Sequence, residues 1–296
     1  MDSKNETSRW LGGIPYEVAF WKSYYGNRRR RADLFRWSGY GKKCTLDNFD
    51  IDSFISRQPT DSEPVIVDAG AALSYVLGTV IGGREMKIDY VDPLAPFYND
   101  ILDRYKIDRP RIRFGMIESL SASYRPDSVT FVHVRNALDH CRNPLEGIIQ
   151  ALVVLKPGGV LYLNHFRNEA ERENYRGFHQ FNICNSDGHL ELWNRDTCID
   201  VNSVVGSFAR VEVSETGQGR VVAVITKNGP VPESLYRQEE TTARMAEMVM
   251  TTVTYLSSPR RTLAFHWKQL YTTAGHRFMR LLPWSLLNRI KRMAGK

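Results

Sequence analysis

Five short apolar runs each deliver residues able to do chemistry. VIVD ends on Asp68 and runs into Ala69 and Gly70, and KIDYVD ends on Asp92 and Pro93. RIRFG leads into GMIESL, with Ile117 and Glu118. SVTFVHVRN delivers Arg135 and Asn136, with Asp139 and His140 just beyond, and GGVLYLNHF reaches His165. A glycine at position 70 lets backbone approach a ligand, and the small Ala69, Ala71 and Ala72 keep the turn open. A carboxylate at Asp92 is placed to accept hydrogen bonds from both hydroxyls of a ribose. Imidazole titrates near neutrality and suits proton transfer. His165 is preferred as the base, with His140, beside Asp139, as the second candidate. The plainer readings are a capping or core role for His140 and a satisfied surface histidine for His165. His179 and His189 lie further along and can enter the same site from above. No tight ligand cluster is visible in the sequence, so no metal is expected.

The elements that hold these residues follow from periodicity. The apolar runs read as strands, and they alternate with helical patterns over AALSYVLGTVIG, which ends at Gly82-Gly83, APFYNDILDRY and PLEGIIQALVVL. Such alternation predicts an α/β fold with a parallel sheet covered on both faces. In such a sheet a ligand sits beyond the carboxyl ends of the strands, near the point where strand order reverses. FARVEVSE and RVVAVITK, joined by TGQG, predict a closing antiparallel hairpin. Residues 166–205 form a long insertion, the kind of segment that carries specificity. Three regions result: an aromatic and basic helical cap over 1–60, a ligand-binding domain over 61–228, and a basic helical extension over 229–296. The polar stretch RQPTDSEP links the first two. In the extension, Met245, Met248, Val249, Val253 and Leu256 are expected to share one side of a helix.

The series VIVDAGAAL, IDYVDP, GMIESL, VTFVHVRNALDHCRNP and ALVVLKPGGVLYLNHF resembles the class I S-adenosylmethionine-dependent methyltransferases, in their small-molecule and glycan branch. LKPGG is the most specific piece, and the resemblance covers roughly residues 64–226. It implies a Rossmann-like fold with a mostly parallel seven-stranded sheet ending in an antiparallel hairpin, and S-adenosyl-L-methionine as cofactor. By this resemblance Asp68, Ala69 and Gly70 flank the methionine moiety, and Asp92 binds the ribose hydroxyls. Pro93 or Leu94 lines the adenine, Ile117 offers backbone to its edge with Glu118 beside it, and Arg135 and Asn136 border the sulfonium. The family usually carries an acid where Met116 stands, often one at Thr130, and a second glycine where Ala72 stands. A dinucleotide site would want a third glycine where the bulky Tyr75 sits, for close helix–strand contact against a pyrophosphate. A cofactor without phosphates relaxes that requirement.

The chain has 296 residues, 42% hydrophobic and 25% charged, with a formal net charge of +7. These values are ordinary for a globular protein. No apolar stretch is long enough to span a bilayer, and MDSKNETSRW lacks the apolar core of a signal peptide. Four cysteines without CxxC pairing fit reduced thiols in the cytoplasm and give no zinc signature. The positive charge is concentrated in Arg28–Arg31 and in the tail beyond Glu247, which points to a negatively charged partner. The terminal stretch HRFMRLLPWSLLNRIKRMAGK, 276–296, has three open readings: it covers the core, joins a second subunit in a homo-oligomer, or lies on an anionic membrane at its cytoplasmic face. Nucleic acid is not expected as a partner, because no recognition motif accompanies the arginines.

The insertion mixes Arg, Asn, His, Gln, Tyr and Trp, which suits a polyhydroxylated or anionic acceptor; a polar lid without a role in acceptor choice is the plainer alternative. The sequence thus predicts an enzyme that O-methylates a sugar hydroxyl in a surface polysaccharide or lipid-linked glycan. Two alternatives stand beside it. One is a methyltransferase for a small aromatic or lipid-like acceptor, and the other a non-catalytic module that binds nucleic acid or anionic membrane on the same fold.

Overall fold

In a computed structural model, which describes residues 3–59, 63–257 and positions 263, 266, 267, 270, 271 and 274, the chain opens with helices. These are α1 (Ser3–Tyr25), α2 (Arg28–Trp37) and α3 (Ile51–Ser56). There follow β1 (Ile66–Ala69), β2 (Val80–Ile81), β3 (Arg84–Glu85), β4 (Ile88–Asp92), α4 (Ala95–Tyr105) and β5 (Arg113–Phe114). A 3-10 segment over Ile117–Ala122 leads to β6 (Val129–Arg135), a 3-10 turn at Leu138–His140, α5 (Pro144–Val154) and β7 (Leu155–Phe166). The insertion folds as α6 (Glu169–Arg172), β8 (Asn182–Ser186), β9 (His189–Trp193), β10 (Cys198–Asp200) and α7 (Val201–Val205). The hairpin β11 (Ala209–Thr216) and β12 (Arg220–Lys227) precedes α8 (Gln238–Ser257).

Seven strands form one sheet in the order β11-β12-β7-β6-β1-β4-β5. All pairings are parallel except those of β12, which runs against both β7 and β11. The chain steps outward from β1 to β4 and β5, then returns to the other side of β1 with β6 and β7. Strand order therefore reverses between β1 and β6, the point at which open α/β sheets place a ligand crevice, beyond the carboxyl ends of the strands.

Side-chain alternation divides the core into two layers. Ile66, Tyr90, Phe131, Tyr162 and Val222 face α1, α3 and α4, where Trp10, Ile14, Val18, Phe54 and Ile101 are buried against them. Val67, Val91, Val132, Leu163 and Ala223 face α5, α7 and the insertion, including Ile148, Leu152, Leu190 and Val205. Helix α5 starts where its sequence allows: Asn143 accepts the Glu146 N–H at 3.2 Å as N-cap, and Pro144 occupies the first turn. The N-terminal helices thus share the core of the sheet.

Two sequence expectations fail here. The helix expected over AALSYVLGTVIG does not form; the segment turns irregularly and then pairs β2 with β3. Its carbonyls are claimed from a distance: the Tyr25 hydroxyl donates to Leu73 O (2.8 Å), and Ser38 Oγ and Gly39 N donate to Tyr75 O (3.0 and 2.8 Å). Ala72 and Tyr75 both take left-handed backbone angles, which stop a right-handed helix. In α8, Met248 is buried and Met245 reaches the core, but Val249 and Val253 are exposed. Thr241 and Thr252 are buried on that helix instead. The side chain of Leu256 and residues 276–296, with their three readings, lie outside the described residues.

Candidate active site

Two turns nearly touch at this reversal of strand order. Gly70 has φ +70°, and a Cβ there would stand 2.3 Å from Ala137 Cβ, so only glycine lets the turn after β1 pass the turn after β6. The Gly70 N–H donates to Val91 O (2.8 Å), which ties the turn to β4. Asp92, at the end of β4, accepts the Ala72 N–H on Oδ2 (3.1 Å) and the Leu94 N–H on Oδ1 (2.8 Å). Burial pushes its carboxyl up to about 7, against those two backbone donors. Pro93 is half-buried at the start of α4.

Asp68 is 1% exposed and faces His133 across the β1–β6 register, with Oδ1 2.7 Å from Nδ1. The His133 ring stacks on Tyr162 at 5.8 Å. Asp68 Oδ2 is buried and has no hydrogen-bond partner. A buried carboxylate oxygen left unpaired costs roughly 1–3 kcal/mol or more and asks for a donor. His133 was not singled out in the sequence. The alternation in VTFVHVR, which sets it on the face of Asp68, was the available signal.

Most of the other sequence candidates are held by contacts within the fold. Glu118 Oε1 accepts the N–H groups of Arg142 (2.8 Å) and Asn143 (3.4 Å), so it secures the loop before α5, and burial raises its pKa. Ile117 is buried beside Gly147. Asn136 Oδ1 accepts Arg220 Nη2 (3.0 Å) and Phe166 N (3.3 Å), while Arg135 is exposed. Thr130 Oγ1 accepts the Val65 N–H, a structural link between β6 and β1. Met116 is buried in the core.

The histidines gather beyond β6 and β7. Asp139 is buried in the 3-10 turn, and its Oδ2 lies 2.7 Å from His179 Nδ1 and 3.5 Å from His140 Nε2. The two rings approach to 3.3 Å between nitrogens. Burial alone would raise the Asp139 carboxyl, but the two imidazoles hold it down near 2. Burial would lower His179, and its bond to Asp139 raises it instead. The sequence hid this group because His179 sits 39 residues from His140, in the insertion. His189 does not join them; it pairs with Asp200 at 3.0 Å on the surface. His165 is 2% exposed, neither ring nitrogen has a partner, and burial drives its pKa down to about 3.

Helix α1 roofs the site. A Cβ on Gly13 would stand 2.5 Å from the Phe178 ring, and Trp10 meets the same ring at 5.3 Å. Phe178 in turn covers His140 at 5.6 Å. Glu17 adds negative charge to the surroundings of both Asp92 and His179. Two surface clefts lie away from this crevice. One of about 490 Å³ is lined by residues such as Lys87, Tyr90 and Arg111, at the amino end of β4. The other, of about 420 Å³, is lined by Glu191, Trp193, Asn194, Arg195, Asp196, Thr197 and Cys198 on the insertion.

The strand order, with β12 alone reversed, is that of the Rossmann-like fold of class I methyltransferases. No family model and no curated protein sequence matches the chain. Among solved structures, the chain is similar to a 16S rRNA methyltransferase from T. thermophilus in complex with AdoMet and guanosine. That match has 11% identity and TM-score 0.36, over 62% of this chain and 40% of that one. It is similar to the citrinin polyketide synthase CMeT domain at 15% identity and TM-score 0.43, over 71% of this chain and 59% of that one. A SAM-dependent methyltransferase from Aquifex aeolicus matches at 13% identity and TM-score 0.37, over 60% of this chain and 90% of that one. The chain thus spans less than two thirds of the first two. The fold assignment rests on the strand order.

Proposed function

We propose that this chain is an S-adenosylmethionine-dependent methyltransferase that methylates a hydroxyl of a sugar. The observation that carries the reading is the unpartnered, buried Oδ2 of Asp68 at the reversal of strand order, with Asp92 at the adjoining strand end. The residues fit the cofactor. Asp68 offers an acceptor for its amino-acid end, and Asp92 retains lone pairs for ribose hydroxyls beyond its two backbone bonds. Ala69 and the side-chain-free Gly70 leave room for the cofactor beyond β1, and we assign Pro93, Ile117, Glu118, Arg135 and Asn136, which follow the neighbouring strands, to its surroundings. When bound, S-adenosylmethionine supplies a methyl group on a cationic sulfur. The protein's own work is to orient the acceptor and exclude water, and α1 is placed to do the second.

The hydroxyl that loses its proton faces the rim of Asp139, His140 and His179. We assign that role to the rim rather than to His165, whose burial leaves it too weak a base near neutral pH. The glycan acceptor is supported by the shallow cleft on the insertion, where Trp193 stands among Glu191, Asn194 and Arg195. An aromatic face beside amides, acids and arginine suits stacking and hydrogen bonding along a sugar chain. Methyl-donor turnover against a panel of nucleotide sugars and glycans tests the reading: turnover on at least one glycan is expected. Binding of the cofactor with turnover only on apolar aromatic or lipid-like acceptors would overturn the glycan assignment.

A further inference from the structure

We propose that Asp139, His140 and His179 hold a divalent first-row transition-metal ion at the acceptor rim. The three ligand atoms converge from two segments of the fold. Asp139 and His140 are adjacent in the 3-10 turn after β6, and His179 arrives from the loop between α6 and β8. That loop is pinned where it must be: the Gln180 N–H donates to Asp139 O at 3.2 Å. Phe178 sits against both Trp10 and His140, which fixes the loop from the other side.

The separations among the ligand atoms are 2.7, 3.3 and 3.5 Å. With metal–ligand bonds of about 2.0–2.1 Å in a tetrahedral site, neighbouring donor atoms lie about 3.3 Å apart. The mean spacing here is close to that value, and Asp139 Oδ2 and His179 Nδ1 need only open slightly to admit an ion. Two imidazoles and one carboxylate favour zinc, iron, manganese or cobalt over magnesium or calcium, which prefer oxygen alone. Three protein ligands also leave positions open, the pattern of catalytic rather than structural sites.

His165 is the second, independent observation. It is buried, both of its ring nitrogens lack partners, and Asp139 and His140 both act on it electrostatically. An ion beside Asp139 gives that otherwise unexplained imidazole a partner through a bound water. The contrast is His189, which meets a single exposed carboxylate and no third ligand. Open positions on the ion would hold a hydroxyl oxygen of the acceptor and lower its pKa. The rim's part in removing the proton is then exerted through the ion, with the imidazoles as its ligands and the proton of the acidified hydroxyl passing to solvent water. This use of the ion rests on the methyltransferase reading, whereas the metal site itself does not.

The test uses the full chain, stripped with a chelator and titrated with Co²⁺ and Zn²⁺ by calorimetry, with the visible absorption of bound Co²⁺ as a second readout. One ion per chain is expected, with a Co²⁺ spectrum of nitrogen and oxygen ligation. Affinity should fall at least about a hundredfold in both His140→Ala and His179→Ala, and stay unchanged in His189→Ala. Circular dichroism and S-adenosylmethionine titration of each variant establish that it is folded. Failure of the parent chain to bind either ion, or binding unchanged in both folded histidine variants, overturns the proposal. Metal binding without any S-adenosylmethionine binding supports the site and sinks the methyltransferase reading. S-adenosylmethionine binding without metal overturns the site alone.

Discussion

At the scale of single residues, Asp92 and Gly70 show how far a ligand crevice departs from an optimally stable interior. The folded pKa of Asp92, about 7, lies above its ordinary value of 3.8. Its protonated form therefore favours the folded state. That contribution is fully present below pH 4 and is lost as pH rises through 7, by at most about 1.4 kcal/mol per pH unit. Urea titrations of the parent chain and Asp92→Asn across pH 4–8 should show the stability difference moving against the parent over that window. A flat difference would mean that the carboxyl titrates normally. Gly70→Ala is expected to destabilise by roughly 2 kcal/mol or more, through left-handed backbone strain of about 1–2 kcal/mol and the clash with Ala137. Adding Ala137→Gly should return the clash component and leave the strain. Equal losses in the single and double variants would show that the two turns are not in contact. The chemistry-bearing residues at strand ends were legible because strands declare themselves as short apolar runs. Asp68's partner was legible only in principle, because register decides which histidine it meets.

At the scale of elements, local pattern succeeded where an element is stabilised by its own periodicity and failed where distant groups intervene. α4 begins and ends with APFYNDILDRY, and the hairpin strands match FARVEVSE and RVVAVITK closely. Residues 71–82 carry helical periodicity, yet Tyr25, Ser38 and Gly39 take carbonyls that a helix would need. The reading of 166–205 as a long insertion assigns it no elements, and alternation in NICNS and HLELW builds the antiparallel sheet β8–β9–β10 there. That sheet supports the Trp193 cleft, and its entry loop carries His179, so the proposed acceptor recognition is tested on this element. Trp193→Ala should lower turnover on a glycan polymer several-fold, mainly through KM, and leave S-adenosylmethionine affinity unchanged. Kinetics on matched polymeric and monomeric acceptors check this, and an unchanged KM for the polymer would remove the cleft from the account.

At the scale of the whole molecule, the N-terminal helices and the sheet form one body. Trp10, Ile14, Val18, Trp21 and Tyr25 of α1 are buried in the layer that also holds Phe131 and Tyr162. Burial of each such side chain contributes about 1.5–3 kcal/mol, so removing all five costs an amount comparable to a typical domain's entire stability of about 5–15 kcal/mol. A chain lacking residues 1–25 should lose its cooperative urea transition, whereas retention of a full transition would make the cap dispensable. A milder probe is Gly13→Leu, which drives a side chain into Phe178. It should destabilise by roughly 1–3 kcal/mol and disturb the rim without touching Asp92. No helix among the described residues is long and apolar enough to cross a membrane. The arginine run of α2 is a surface feature of the same body, since that helix has no buried residues.

The central claim is that the crevice between β1, β4 and β6 binds S-adenosylmethionine through Asp68 and Asp92. Calorimetric titration of S-adenosylmethionine into the parent chain, Asp68→Asn and Asp92→Ala tests it most directly. One site per chain is expected in the parent, with affinity reduced at least tenfold in each folded variant. No binding by the parent, or equal affinity in all three proteins, would contradict it.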